Sequence, residues 1–339
     1  MESAEWESVL QFVSDPLDLA SPLVDKPVSE CTTISGNPAS QIPTPPASDE
    51  GSPAVEQSES NPIVSVSTTF YPGANLNPLP PDVIFLSSDG VFFYVHTHQI
   101  LGVSNNGFKG LLPAKRSKLN DELGPVVPLD EPAAVINVML HTIYNMSCAH
   151  YSPTTDTLVD GVDGLAKYGV SVKAHVAPGT SLYSLILSQA PVAPIELYAL
   201  AGKHDLYDLA VPISSHLLAF ALPMLSDEFA DRMGPVYLKR LFFLHLGRID
   251  ALKRLLLPPP HPHAPTPKCD FTEQKKLTRA WALASAYLAW DARPDLSTRA
   301  METALCPLGE HLSCEVCQKL LSERIKQLII QWSVVKRTI

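Results

Sequence analysis

The chain has 339 residues, room for about two domains, and with 45% hydrophobic and 18% charged residues it can bury a core. Its net charge of −10 is concentrated in one segment: residues 1–81 hold eleven carboxylates and one base, Lys26, whereas residues 82–339 hold 24 basic and 24 acidic residues. A neutral body has no basic excess for phosphate backbones, which argues against general nucleic-acid binding. The apolar run Leu217–Leu225, broken by Pro223, is too short for the roughly 18 residues of a spanning helix.

The first ten residues are acidic and lack a basic n-region, so no secretory or transit peptide is expected. Cys31, Cys148, Cys269, Cys306, Cys314 and Cys317 then read as reduced thiols or metal ligands of a protein of the cytoplasm or nucleus. Residues 1–80 are expected to be a disordered acidic tail rich in Pro and Ser. One apolar patch interrupts it: Trp6, Val9, Leu10, Phe12 and Val13 lie among Glu2, Glu5, Glu7 and Asp15, with the spacing of a short amphipathic helix that could fold onto a partner. An inert solubilising tail is the alternative.

From residue 81 the pattern changes. Val83–Leu86 and Val91–Val95 flank Asp89–Gly90, a hairpin signal. A helix is expected over His98–Leu112, although Gly102, Gly107 and Gly110 each cost it about 1 kcal/mol. Pro113–Pro125 is polar, and Val126–Leu129 reads as a short edge strand. Asp130–Glu131–Pro132 has the composition of a helix start. Further helices are expected over Thr155–Tyr168, Pro194–Gly202, Leu206–Leu222, Asp227–Leu256, Thr272–Trp290, Thr298–Leu305 and Cys314–Val335, each with apolar residues three and four apart. Residues 169–194 read as a long Gly, Pro and Ser-rich connection. Residues 257–268, with six prolines in twelve positions, read as a surface loop.

The run Asp82–Leu86, the Asp89–Gly90 turn, Phe92–His96, Ile100, Ser104 and Phe108 resembles the opening of a BTB/POZ domain. Val127–Pro132 followed by Val135–Tyr144 is similar to that family's later strand and helix, and Pro194–Ala210 to the helical pair that closes such domains in many fungal members. The resemblance implies an α+β fold: a BTB/POZ-like hairpin and helix cluster over 81–222, then an all-helical C-terminal region over 223–339. It also implies a non-enzymatic interaction module that self-associates as a homodimer or recruits a protein partner. Val83 and Phe85 would lie on the dimer face, and Leu119 and Asp121 on a loop that contacts a cullin scaffold. A substrate adaptor of a cullin-type ubiquitin ligase is therefore one alternative. A transcriptional cofactor, suggested by the acidic tail and the basic run Lys115–Lys118, is another.

The residues that carry chemistry are few. Cys306, His311, Cys314 and Cys317 are spaced C-x4-H-x2-C-x2-C, and soft thiolates with an imidazole are what structural zinc takes. This is half a standard finger, and cysteines packed as small hydrophobes are the competing reading. His96 with His98, and His261 with His263, lack a third ligand and read as non-ligating. No phosphate loop, G-x-G-x-x-G, H-E-x-x-H or G-x-S-x-G is present, so no organic cofactor is called for and an enzyme is the minor alternative, requiring a site dispersed along the chain.

Overall fold

The computed structural model describes residues 65–113 and 124–339. These form a mixed α/β protein, mostly helical, with one small sheet. The strands are β1 (Ser65–Val66), β2 (Val83–Leu86), β3 (Val91–Val95) and β4 (Val126–Pro128), in the spatial order β1-β3-β2-β4. β2 and β3 are the antiparallel hairpin, with Phe85 opposite Phe93, and β4 lies parallel to β2 on its other side. At the turn Gly90 takes φ 84°, where a side chain would be strained, and Asp89 accepts a hydrogen bond from the Ala133 amide (2.9 Å). That bond caps α2 (Ala133–Ile143), which begins after Pro132. Asp130 and Glu131, expected to serve the helix dipole, instead pair with Lys167.

Order starts earlier than residue 81. β1 pairs parallel to β3, and Phe70 is fully buried against Phe93, His141 and Tyr144. The rest of the expected tail, residues 1–64, lies outside the described residues, as do Lys115–Lys118, Leu119 and Asp121.

The expected helix over His98–Leu112 is divided. α1 (Thr97–Val103) ends at Ser104, and a single turn, Gly107–Gly110, follows with Phe108 and Lys109 at φ 54° and 58°. The Ser104 hydroxyl donates to the Tyr168 carbonyl and accepts from the Phe108 amide. The Phe108 ring stacks between Phe85 (4.9 Å) and Tyr168 (4.2 Å). Burial of this aromatic column offsets the cost of left-handed backbone at a bulky residue.

α3 (Thr155–Lys167), α5 (Pro194–Lys203), α6 (Tyr207–Ser214) and α7 (Asp227–Leu256) surround the sheet and α2. The connection read as irregular contains α4 (Ser181–Gln189), capped by Thr180 and buried through Leu182 and Ile186. The helix expected to run to Leu222 stops at Ser214 and continues as a short 3-10 turn. α8 (Phe271–Trp290), α9 (Thr298–Leu305) and α10 (Glu315–Ser333) complete the chain.

Two apolar cores result. The first gathers buried residues between Phe70 and Leu241; the second gathers Leu252, Leu256, Trp281, Leu305, Leu328 and Trp332 with their neighbours. α7 contributes to both. No helix of the described residues is long and apolar enough to cross a membrane.

α5 and α7 approach closely at Gly202, where an added Cβ would lie 2.5 Å from the Met233 carbonyl oxygen. Gly202→Ala is expected to cost about 1–3 kcal/mol by overpacking backbone that cannot yield. Gly102→Ala, with nothing within 4 Å in exposed α1, is expected to be neutral or stabilising by up to about 1 kcal/mol. Urea denaturation of the two variants checks the pair.

Asp163 on α3 accepts hydrogen bonds from His204 (2.6 Å), Lys203 (2.8 Å) and Arg232 (3.1 Å), tying α3, α5 and α7 together. Burial alone would raise its pKa, but these donors and charges overcome it and hold the carboxyl at about 2, below the ordinary 3.8. A depressed carboxyl contributes stability that is present above its unfolded pKa and lost as pH falls toward the folded one. Stability should therefore decline between about pH 4 and 2, and Asp163→Asn should flatten that decline in thermal melts across the same range.

Candidate metal centre

The structure brings Cys314 and Cys317 together but assigns them other companions than Cys306 and His311. His263 and Cys269 complete the group, and the four ligand atoms all lie within 4.8 Å of one another. Cys306 is exposed at the end of α9, and His311 is exposed in the loop before α10. The expected spacing therefore fails at its first two positions: in the stretch between them it is Leu308 that is buried, and the proline-rich loop sets His263 against Cys314 and Cys317 instead. His261 is exposed and outside the group.

Each ligand is placed by local structure. Cys314 is the N-cap residue of α10, and Cys317 sits one turn in and faces the second core. Cys269 immediately precedes Asp270, which caps α8 through the amides of Thr272 and Glu273. A two-bond bridge between Thr266 and Cys269 (2.9 and 3.1 Å) fixes the turn that carries the thiol. Gln274 on α8 donates to the His263 carbonyl (3.1 Å), and Arg324 on α10 donates to the carbonyls of Pro258 (2.8 Å) and Leu255 (2.5 Å). The proline-rich loop is thus pinned from two helices. Prolines supply no amide donors, so its free carbonyls are what these side chains hold.

The imidazole is set in one tautomer. Nδ1 of His263 lies 2.6 Å from the Ala264 carbonyl, which can only accept, so Nδ1 carries the proton and Nε2 presents its lone pair. That Nε2 faces Cys314 Sγ at 3.4 Å and Cys317 Sγ at 3.3 Å, and Cys269 Sγ lies 3.7 Å from Cys317 Sγ. A tetrahedral ion with metal–sulfur bonds of ~2.3 Å and a metal–nitrogen bond of ~2.0 Å spaces two sulfurs ~3.8 Å apart and a sulfur and nitrogen ~3.5 Å apart. Three of the six edges match those spacings to within a few tenths of an ångström and all six lie within 4.8 Å, so the group could hold a metal ion.

The thiols differ in their ease of ionisation. The amides of Cys317 and Val316 at the start of α10 overcome the desolvation cost and bring Cys314 down to about 7. Burial, with Cys269 beside it, pushes Cys317 up to about 12, and burial also raises Cys269. Without an ion three thiolates in this space would repel; a divalent cation removes that conflict.

The other expected site residues lie elsewhere. Val83 and Phe85 are only 1% and 0% exposed, because β2 is an inner strand covered by helices. Their side chains are core and are not open to a partner. His96 is buried, hydrogen-bonded to the Tyr144 hydroxyl and the Leu79 carbonyl, each at 2.9 Å, so it is structural. Comparisons with protein-family models, with curated proteins and with solved structures find no match to this chain.

Cys269→Ser and Cys317→Ser should each abolish metal retention and lower the melting temperature, whereas Cys306→Ser and His311→Ala should leave both unchanged. Closing the chain between residues 269 and 317 restricts the unfolded state by about 4 kcal/mol if the cross-link acts as a disulfide of that loop length would. Elemental analysis of protein purified without chelator, run beside thermal melts, checks the four variants.

Proposed function

We propose that the protein is a non-enzymatic interaction protein of the BTB/POZ type, with one structural zinc in its C-terminal helical region. The observation that carries the reading is the order and pairing of the first elements: the β2–β3 hairpin, helix α1, then β4 returned parallel onto β2 and followed by the buried helix α2. These are the segments whose sequence resembles that family. α5 and α6, which cover Pro194–Ser214, stand where the closing helical pair is expected.

Zinc is the ion that suits the donor set. Three thiolates and one imidazole are soft to borderline ligands, and tetrahedral sites of this composition take zinc rather than calcium or magnesium, which require oxygen. Four protein ligands leave no open position for substrate, so the ion's part is structural. It would join the proline-rich loop to the starts of α8 and α10 and hold the second core in one arrangement.

With Val83 and Phe85 in the core, the contact surface for a partner must come from other residues. Affinity capture of the full chain from its native cells, with quantitative mass spectrometry against a tag-only control, tests the reading alongside light scattering of the purified protein. A stoichiometric partner, or a dimer in solution, is expected. A monomer that retains nothing above the control would overturn it.

A further inference from the structure

Beyond the break at Gly234, α7 carries apolar residues on both of its faces. One face buries Tyr237, Leu241, Leu244 and Leu252 in the two cores. The opposite face holds Val236, Lys239, Phe243, Leu246, Asp250 and Lys253, at alternating spacings of three and four, and all six are exposed. That alternation is the seam of a two-helix contact. Val236, Phe243 and Leu246 are 56%, 62% and 55% exposed, and Phe242, exposed as well, flanks them. A stripe of large apolar side chains on the outside of a long helix marks an interaction surface. At 1.5 Å per residue it runs for about 26 Å.

The order of charges along the stripe selects its partner. Phe243 and Leu246 stand at the centre, with Lys239 one step before them and Asp250 one step after. A second copy of α7, laid antiparallel about a two-fold axis between Leu244 and His245, sets Phe243 of each helix opposite Leu246 of the other. In the same register Lys239 of each faces Asp250 of the other, and Val236 lies along the aliphatic stem of Lys253. A parallel pair would instead set Lys239, Asp250 and Lys253 each against its own copy. Within one chain Lys239 lies over the Phe243 ring at 5.7 Å, which keeps it along the seam, and Asp250 pairs with Arg254 at 2.7 Å. A carboxylate has four lone-pair sites, so the exposed pair with Arg254 leaves Asp250 able to accept from a further cation.

We infer that this stripe is the contact between two copies of the chain, an antiparallel pair of α7 helices related by a two-fold axis. Phe243 and Leu246 supply the apolar burial. The Lys239 and Asp250 layers on either side fix direction and register, because exposed ion pairs add little affinity whereas like charges set opposite one another are costly. The inference rests on the self-association half of the reading above, and neither on its BTB/POZ assignment nor on the metal.

Sedimentation equilibrium of the full chain over a range of concentrations tests it. The mass should rise from one chain toward two, and Phe243→Asp/Leu246→Asp should hold it at one. Lys239→Asp sets two carboxylates face to face in both charged layers, and Asp250→Lys sets two ammonium groups there. Each alone should raise the dissociation constant of the dimer about tenfold or more. Mixed in equal amounts, the two variants should associate with each other about as tightly as the parent chain does with itself, since both layers are again complementary. All these side chains are exposed, so unchanged thermal melts verify the fold of the variants. A parent chain that stays monomeric would overturn the inference; if that monomer still captures a stoichiometric partner, the interaction-protein reading stands without it. A dimer that persists in Phe243→Asp/Leu246→Asp, or a mixture that associates no better than either variant alone, would overturn it too and assign self-association to another surface.

Discussion

The helix Asp227–Leu256 is the constraint on which the remainder of the structure depends, because each apolar core is completed by one of its ends. Its first half buries Met233, Tyr237 and Leu241 against α5, and Tyr198 donates to the Tyr237 carbonyl. Its last turns bury Leu252 and Leu256 beneath α8. Gly234, at φ 72° just before Pro235, redirects the chain inside this element, and only glycine takes that conformation without penalty. Between the two cores lies Arg248, which donates to three carbonyls of the following chain and stacks on Trp332 at 4.2 Å. A buried guanidinium satisfied by carbonyls is costly to disturb, so the junction is held by directed bonds as well as by apolar area.

The second core is closed by a different principle. It is smaller than the first, and its helices are connected by loops poor in backbone pairing, above all the proline-rich stretch before Cys269. Trp281 donates to the Leu256 carbonyl at the end of α7 and Arg324 to the Leu255 carbonyl, so two long side chains replace the capping that prolines cannot provide. Four residues that could hold one metal ion, from two places in the sequence, bring the loop, α8 and α10 to one point. Small apolar cores gain most from such a cross-link, since the entropy it removes from the unfolded chain grows with the length of the loop it closes.

How much of this was legible from sequence depends on the range of the interaction. Asp227–Leu256 and Thr298–Leu305 lie where the apolar period places them, because that period is a local property read along one element. The hairpin was legible from its Asp-Gly turn for the same reason. β1 was not: it is two residues long and exists only through pairing with β3, some 26 residues away. α4 was obscured by serines and a flanking glycine that suggest a loop, and it is retained by burial of Leu182 and Ile186. At the metal centre, Cys314-x2-Cys317 was visible as half a site. The other half, His263-x5-Cys269, stood in a segment whose prolines correctly predicted the absence of helix but say nothing about the direction of its side chains.

That divided ligand set also bears on how three thiolates would be tolerated at one point. Cys314 caps α10 and Cys269 adjoins the cap of α8, so two helix N-termini converge on the cluster. At the start of α10 the amides carry partial positive charge, which favours anions within about one turn, whereas those of Thr272 and Glu273 at α8 are already taken by Asp270. The effect is already felt at Cys314, whose thiol is eased toward ionisation by the amides of Cys317 and Val316. Cys317, one turn inside the helix and packed in the core, receives no such help and is raised. A cation shared by both sulfurs would lower the cost of ionising the second one most, because that thiol gains most from a nearby positive charge. The start of α10 thus eases ionisation of the outer ligand, and the buried ligand would depend on the ion itself. Metal affinity and folding of the second core would for that reason be two aspects of a single equilibrium.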